Sequence, residues 1–210
     1  KHGLVTSISD FGGVTTEIQW NESRRLPVAL TQAANRAESR TIQTEWHPQW
    51  RLPIRVTEPG RTTTYTYDNL GNLLTQSIID TGVGSGSLAT PRTTTWSYLS
   101  NGLVATATGP NGATTSYQYD SAGNLARATN ALGHVDTYTH DGAGRVLSHT
   151  MPTDLVTNYT YDVRGRMLSA NQGGLLTTLA YRASGQVATA SLPHGHSISY
   201  TYDAAQRLTG

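Results

Sequence analysis

Aspartate recurs at a fixed phase of this sequence and is the most regular group that could do acid–base or metal chemistry. Five of the nine aspartates directly follow an aromatic residue or the histidine that replaces one: Asp68, Asp120, Asp141, Asp162 and Asp203. Carboxylates can act as glycosidase acids or ligate calcium. A carboxylate that returns at the start of every turn is better explained as a turn cap, which accepts a hydrogen bond from the backbone two residues on. We therefore predict a structural role for these aspartates.

Two histidines, His194 and His196, could share a strand face and ligate a metal ion. They flank a turn glycine, Gly195, and no third ligand accompanies them, whereas zinc normally takes three or four ligands. The sequence also lacks a Gly-x-Ser-x-Gly elbow and a phosphate-binding glycine loop. We predict no catalytic residue, no metal site and no cofactor, and hence a protein that is not an enzyme.

The aspartates belong to a repeated unit of about 21 residues. Anchoring each copy on its second aromatic position gives spacings of 31, 21, 21, 21, 20 and 21 residues across Tyr67, Tyr98, Tyr119, His140, Tyr161, Tyr181 and Tyr202. Trp46 lies 21 residues before Tyr67, and Trp20 lies 26 residues before Trp46, so nine copies fill the chain. Self-similarity at a fixed period indicates a repeat architecture.

Each position of the unit has a physical interpretation, which the stretch from Tyr117 to Leu125 illustrates. Tyr117 and Tyr119 are two residues apart and so lie on one face of a β-strand. Asp120 favours the first position of a turn, and Gly123 can adopt a positive φ without steric cost. This pattern predicts a three-residue hairpin loop in which Tyr119 faces Leu125.

Two sets of positions complete the hairpin. The residue six after the anchor is apolar in all nine copies, which predicts a buried column: Leu26, Leu52, Leu73, Val104, Leu125, Val146, Met167, Val187 and Leu208. A second glycine lies seven residues before the anchor in six copies: Gly13, Gly60, Gly112, Gly133, Gly174 and Gly195. Two turns per unit leave two short strands, so the chain is predicted to form up to nine consecutive hairpins in one antiparallel sheet.

The motif Tyr-Asp-x-x-Gly-Arg/Asn-Leu at this spacing resembles the YD repeat of Rhs proteins, with related repeats in the C component of bacterial insecticidal toxin complexes and in teneurins. The resemblance extends over about residues 3–210. It is carried by a set of repeat positions: Tyr67, Asp68, Gly71, Leu73, Tyr119, Asp120, Gly123, Leu125, Asp141, Gly144, Tyr161, Asp162, Gly165, Tyr202, Asp203 and Leu208.

This resemblance implies an all-β fold, in which tandem hairpins form a long curved antiparallel sheet as a segment of a spiral β-shell. In the bacterial members such a shell encloses a toxin polypeptide. The partners implied are the neighbouring repeats of the parent chain and the enclosed toxin. The resemblance also implies a secreted or cell-surface protein that leaves through a specialised bacterial secretion system. The family's C-terminal self-cleaving aspartyl protease region is not recognisable in this sequence.

Composition agrees with a thin sheet and excludes several function classes. Charged residues make up 14% of the chain, hydrophobic residues 36%, and there is one Phe. Such a chain suits a single-layer sheet with wet faces better than a two-layer globule. The net charge of +1 gives no electrostatic footprint for nucleic acid or an anionic membrane. No apolar run approaches the roughly 20 residues of a membrane-spanning helix, and there is no signal segment.

The repeats divide the chain into three parts. Residues 1–66 hold degenerate repeats, in which Leu26-Pro27 and Leu52-Pro53 predict shortened or bulged strands. The stretch from Thr31 to Glu38 could form a brief helical turn or a longer loop. Residues 67–97 contain a repeat with a Gly/Ser-rich insertion at 82–87, which is either a binding loop or, as we favour, a tolerated insertion. Residues 98–210 hold regular 21-residue repeats. We interpret the chain as an internal piece of a larger protein.

The aromatic rows allow two functions. All eleven tyrosines fall at the anchor or two residues before it. We favour a scaffold in which the rings pack across strands. The alternative is a carbohydrate-binding or adhesive surface module, with Tyr65, Tyr117, Tyr159, Tyr200 and Trp96 stacking on sugars. The final strand carries no Lys or Pro to protect its edge, which predicts edge-to-edge self-association.

Overall fold

The structure is a computed structural model that describes residues 3–82 and 90–210. Apart from Gly82, the predicted Gly/Ser-rich insertion lies outside the described residues. Within them the chain is all-β, with antiparallel strands and one short 3₁₀ turn at Pro193–Gly195. The fold class predicted from the repeats is therefore confirmed. The chain divides into two units, residues 1–114 and residues 115–210.

In the first unit each strand pairs antiparallel with the next along the chain. The strands are β1 (Ser7–Ser9), β2 (Thr15–Asn21), β3 (Leu26–Gln32), β4 (Arg40–Trp46), β5 (Pro53–Glu58), β6 (Arg61–Tyr67), β7 (Leu73–Asp80), β8 (Arg92–Tyr98) and β9 (Val104–Thr108).

The second unit follows the same consecutive pairing. Its strands are β10 (Thr114–Tyr119), β11 (Leu125–Thr129), β12 (Val135–His140), β13 (Val146–Thr150), β14 (Val156–Tyr161), β15 (Met167–Gln172), β16 (Leu175–Tyr181), β17 (Val187–Ser191) and β18 (Ser197–Ser199). An isolated bridge between Tyr202 and Leu208 marks the last repeat.

The hairpin loop has the predicted geometry. The structure pairs Tyr119 with Leu125, and the register shifts between Gln118 and Tyr119, as in a bulge. The Gly123 amide donates to the Asp120 carbonyl at 3.0 Å, and Gly123 has a φ of 86°. A type I turn closed by a left-handed glycine therefore joins the strands, because only glycine adopts that φ without strain.

The first two full hairpins differ from the sequence register by one residue. Trp20 pairs with Pro27 and Trp46 pairs with Pro53, seven residues on, rather than with Leu26 and Leu52. The same register shift accompanies the anchor of the regular hairpins, so a bulge is a property of the unit and is not imposed by proline. In both hairpins the proline is the paired residue, and the residue after it, Val28 or Ile54, is the bulged one that the register skips.

The stretch after β3 forms a loop. Strand β3 continues to Gln32, and residues 33–39 form turns, with Ala33 at a φ of 48°. The Asn35 side chain accepts from the Thr15 amide at 3.1 Å and donates to the Gly13 carbonyl at 2.8 Å. These bonds tie the loop to the preceding hairpin and explain how five extra residues fit between Trp20 and Trp46.

Little of the chain is buried. Among the described residues the buried hydrophobic ones are Leu26, Ala29 and Ala190, and two threonines, Thr63 and Thr157, are also buried. Most side chains of the predicted apolar column are half-exposed. Stability must therefore come from backbone pairing and side-chain hydrogen bonds more than from a deep core. The described part of the chain contains no helix with the length and hydrophobicity needed to span a membrane.

Candidate functional site: the turn caps and the aromatic ladder

The repeated aspartate caps its turn with both carboxylate oxygens. Asp162 Oδ1 accepts from the backbone amides of Arg164 and Arg166, each at 2.9 Å, and Oδ2 accepts from Arg166 Nε at 2.7 Å. Asp120 has the same arrangement, with Asn124 Nδ2 in place of the guanidinium at 3.0 Å. Asp68, Asp141 and Asp203 bond the residue four positions on in the same way. The oxygens of these five carboxylates therefore accept hydrogen bonds from residues of their own turns.

These bonds also fix the protonation state of the carboxylates. Hydrogen bonding by the backbone amide of Arg166 lowers the pKa of Asp162, and the amide side chain of Asn124 lowers that of Asp120. The pKa of every other repeat aspartate is lowered as well, namely those of Asp68, Asp141 and Asp203. A general acid needs a raised pKa, so these groups are suited to capping and not to acid catalysis.

The anchor ring reaches back to the preceding hairpin. Tyr161 Oη donates to the Val146 carbonyl at 2.8 Å, although Tyr161 is also paired with Met167 on its other side. The same bond runs from Tyr67 to Pro53 at 2.8 Å, Tyr98 to Leu73 at 2.7 Å, Tyr181 to Met167 at 2.7 Å and Tyr202 to Val187 at 3.0 Å. We call this series the aromatic ladder.

Tryptophan takes part in the same ladder. Trp20 Nε1 donates to the Val5 carbonyl at 2.8 Å, and Trp46 Nε1 donates to the Pro27 carbonyl at 2.7 Å. Tyr and Trp are interchangeable at the anchor because each combines an apolar ring with a donor. Sequence reasoning missed this role, although a signal was present: the chain's one phenylalanine, Phe11, lies outside the anchor column.

Arginine joins the turn cap to the ladder in the second unit. The Arg145 guanidinium binds Asp141 of its own turn at 2.6 Å and lies 4.9 Å from the ring centre of Tyr161 in the next repeat. Arg166 repeats this arrangement between Asp162, at 2.6 Å, and the Tyr181 ring, at 4.3 Å. Each such arginine therefore connects two successive hairpins through an ion pair and a cation–π contact. The Arg/Asn position of the motif was the sequence signal for this contact.

One rung of the ladder is different. His140 replaces the anchor tyrosine, and its side chain is only 8% exposed. Its Nδ1 is buried without a hydrogen-bond partner in the described structure and lies 3.9 Å from Asp120 Oδ2. An imidazole is shorter than a phenol, and the buried Nδ1 of His140 makes no hydrogen bond in the described structure.

The candidate sugar-stacking rings lie on the same face as the anchors. Tyr65, Tyr117, Tyr159, Tyr200 and Trp96 are each half-buried. Tyr65 pairs with Gln76 and Tyr159 with Ala170 across the hairpin. Within each unit these rings are thus held on the sheet surface, with part of each still accessible.

Hydroxyl groups occupy the opposite face beside the turns. Thr160 and Ser169 hydrogen-bond across their hairpin at 2.6 Å, and Thr139 and Ser148 do so at 2.6 Å. In the first unit the pairs Thr66–Thr75, at 2.7 Å, and Ser97–Thr106, at 2.6 Å, take the same place. This face is therefore polar and uncharged beside these turns, whereas the ladder face carries the rings.

The structure assembles no metal centre within residues 3–82 and 90–210, where no three His, Cys, Asp or Glu side chains group to hold an ion. His194 lies in the 3₁₀ turn with a φ of 65°, and His196 follows it in an extended conformation.

A family model described as the RHS repeat matches residues 52–82, 98–135 and 119–156. No curated protein matches the chain by sequence. Solved structures do match. The Photorhabdus luminescens Tc holotoxin pore aligns with a TM-score of 0.78 at 18% identity, over 96% of this chain and 12% of that one. The TcdB2–TccC3–Cdc42 complex aligns with a TM-score of 0.76 at 18% identity and the same coverage, and TcdB2–TccC3 with 0.76 over 93% and 12%. The chain therefore shares their fold and spans about an eighth of their length.

Proposed function

We propose that this chain, in which a family model described as the RHS repeat matches three stretches, is a non-enzymatic wall segment of a shell that encloses a toxin polypeptide. The observation that carries this proposal is the aromatic ladder. Within each unit the hairpins pair strand to strand, and seven anchor rings donate a hydrogen bond to a carbonyl of the preceding hairpin. Such bonding makes a strip of neighbour-to-neighbour contacts in each unit, as repeat architectures require. The fold shared with the Tc toxin structures supports the same function.

The mechanism of the proposed wall is confinement. A strip in which each hairpin supports the next separates the two sides of the sheet without a deep core. The turn caps and the arginine links then hold the hairpin ends at a fixed spacing. The proposed partners are neighbouring repeats and an enclosed polypeptide, and the proposed location is outside the producing cell after specialised secretion.

The experiment is limited proteolysis of the full-length protein that contains this segment. The enclosed polypeptide should resist protease in the wild type and become sensitive when Tyr161→Ala and Tyr181→Ala together remove two rungs. Tyr159→Phe is the matched control, because the Tyr159 hydroxyl makes no hydrogen bond in the described structure. Equal digestion of wild type and rung variant would overturn the proposal, provided that circular dichroism shows both to be folded.

The competing function is carbohydrate binding or adhesion, and one observation favours it. Each unit carries half-accessible rings on its sheet: Tyr65 and Trp96 in the first unit, and Tyr117, Tyr159 and Tyr200 in the second. A glycan array separates the two functions, because a wall segment should give no signal. Binding that Trp96→Ala abolishes would favour the surface module instead.

A further inference from the structure

One turn of the second unit lacks the carboxylate that caps its counterparts. Arg182 follows the anchor Tyr181, where five other copies of the repeat have aspartate. The turn keeps the backbone geometry of the repeat, because the Arg182 amide donates to the Gln186 carbonyl at 2.8 Å and the Gly185 amide donates to the Arg182 carbonyl at 2.9 Å. The turn that begins at Asp162 has the same two bonds, each at 2.9 Å. The exchange therefore replaces an anionic side chain with a cationic one on an unchanged turn.

Two backbone amides of this turn have no acceptor. In the Asp162 turn, Oδ1 accepts from the amides two and four residues on, each at 2.9 Å. The equivalent donors here are the amides of Ser184 and Gln186, and neither donates a hydrogen bond within the part of the chain that the structure describes. The Gln186 side chain does not replace the cap, since its Oε1 accepts from the Ser184 hydroxyl at 2.7 Å and its Nε2 donates to the Gln206 carbonyl at 2.8 Å. Both amides are thus available to an acceptor from outside the turn.

The other anchor turns without aspartate have found an acceptor of their own. Asn21 Oδ1 accepts from a turn amide at 3.1 Å, and His47 Nδ1 accepts from two turn amides, each at 3.2 Å. Where Leu99 follows the anchor, Asn101 Oδ1 accepts from the amide of the last turn residue at 3.2 Å. Among the nine anchor turns of residues 3–82 and 90–210, the turn at Arg182 is therefore the one in which no side chain accepts from a turn amide.

Positive charge lies beside these free donors. Arg164 of the preceding turn donates through Nη1 to the Ala183 carbonyl at 3.4 Å. The Arg182 guanidinium donates to the Tyr200 carbonyl at 3.2 Å and lies 4.9 Å from the ring centre of Tyr202. Neither arginine forms an ion pair with a carboxylate of the described residues. Adjacent backbone amides and nearby cations together favour an anionic ligand.

We propose that the turn at residues 182–186 binds a carboxylate group from outside the turn, in the place of the missing aspartate. The amides of Ser184 and Gln186 donate to one oxygen of this carboxylate, and Arg164 and Arg182 supply positive charge around it. A carboxylate is the matching anion, because the same backbone turn already binds one in five other copies. The ligand is either a free carboxylate or an Asp or Glu side chain of a polypeptide that lies against this edge of the sheet.

The test is an NMR titration of the 210-residue chain with sodium acetate, in which the amide signals of Ser184 and Gln186 are followed at constant ionic strength. Both signals should shift to saturation, whereas the amide of Arg166, whose acceptor is in place, should not. The blocked peptide acetyl-Gly-Asp-Gly-amide is the second probe. Tighter binding of the peptide than of acetate assigns the site to a polypeptide, and equal or weaker binding assigns it to a free carboxylate.

Two variants of equal charge isolate the open cap. Arg182→Asn removes the positive charge and supplies an acceptor, as Asn21 does in its own turn, so the affinity for acetate should fall at least about tenfold. Arg182→Leu removes the same charge without an acceptor, as at Leu99, and its affinity should stay within about threefold of the wild type. Both variants lose the contact with Tyr202, so it cancels in the comparison.

Three results would overturn the proposal. The first is an acetate titration that leaves the amides of Ser184 and Gln186 unshifted. The second is a shift that sodium chloride reproduces at the same concentration, since the turn would then attract any anion through its charge alone. The third is an equal loss of affinity in Arg182→Asn and Arg182→Leu, because the acceptor at this position would then make no difference.

Discussion

The hydroxyl of Tyr181 at the end of β16 donates to the backbone carbonyl of Met167 at 2.7 Å. Met167 begins β15 and belongs to the preceding hairpin. Met167 is at the same time the residue that Tyr161 pairs with, so one position links three strands: β14, β15 and β16. The same donor bond to the preceding hairpin occurs at Trp20, Trp46, Tyr67 and Tyr98 in the first unit and at Tyr161 and Tyr202 in the second.

Removing one rung should weaken the second unit measurably. Tyr181→Phe keeps the ring and its contact with Arg166 but leaves the Met167 carbonyl without its donor. We expect a loss of about 1 kcal/mol in the free energy of unfolding, the usual net value of such a bond. Chemical denaturation checks this, with Tyr159→Phe as the matched control. An equal loss at Tyr159 would show that the ladder bond is not the source of the stability.

Restoring the missing rung should have the opposite effect. His140→Tyr replaces a buried imidazole whose Nδ1 is unsatisfied with the ring that other repeats use. We expect a gain of about 1 kcal/mol in the free energy of unfolding from the added donor bond. Chemical denaturation of both chains under one buffer condition measures it. A destabilised variant would mean that the site cannot admit a phenol.

Substitution of the turn glycine Gly123 should destabilise the hairpin. Gly123 has a φ of 86°, so Gly123→Val forces a β-branched side chain into a left-handed conformation. We expect a loss of about 1–2 kcal/mol in the free energy of unfolding. Ser121→Val, in the same loop but without a positive φ, should cost far less. Similar losses at the two positions in urea titration would contradict the turn geometry.

The turn caps should set the acid limit of the fold. The pKa values of Asp68, Asp120, Asp141, Asp162 and Asp203 are all lowered by hydrogen bonds to the ionised carboxylate. A lowered pKa contributes stability that is present above the unfolded-state value, near 3.8, and is lost as pH falls through the folded-state value. Unfolding midpoints should therefore decline steeply below about pH 4.

A single variant tests the assignment of that acid limit. Asp162→Asn cannot ionise, so its midpoint should be lower than that of the wild type at pH 6 and should approach it at pH 2.5. Asp154→Asn is a control, because Asp154 lies in the turn between β13 and β14 and does not follow an anchor residue. Parallel curves for wild type and Asp162→Asn would show that this cap does not contribute to the pH dependence.

The sequence by itself determined the secondary structure of this protein and the order in which its strands pair. Within seven residues, Tyr119, Asp120, Gly123 and Leu125 encode a strand, the start of a turn, a positive φ and the return strand, so local stereochemistry suffices to predict the hairpin. Repetition then makes consecutive pairing the natural arrangement. The capping role of the aspartates followed from the same local reasoning.

Only the tertiary structure decided which distant groups meet. The bond from Tyr161 to Val146 and the stacking of Arg145 on Tyr161 join residues of different hairpins, and their geometry depends on how far a side chain reaches across the sheet. Local stereochemistry carries no such information. It also failed at Pro27, because the segment between Trp20 and its partner is one residue longer than in the regular hairpins and moves the pairing by one position. The His149–Asp136 pair is the same kind of fact: 13 residues separate the two in sequence, and strand pairing brings them to 2.7 Å.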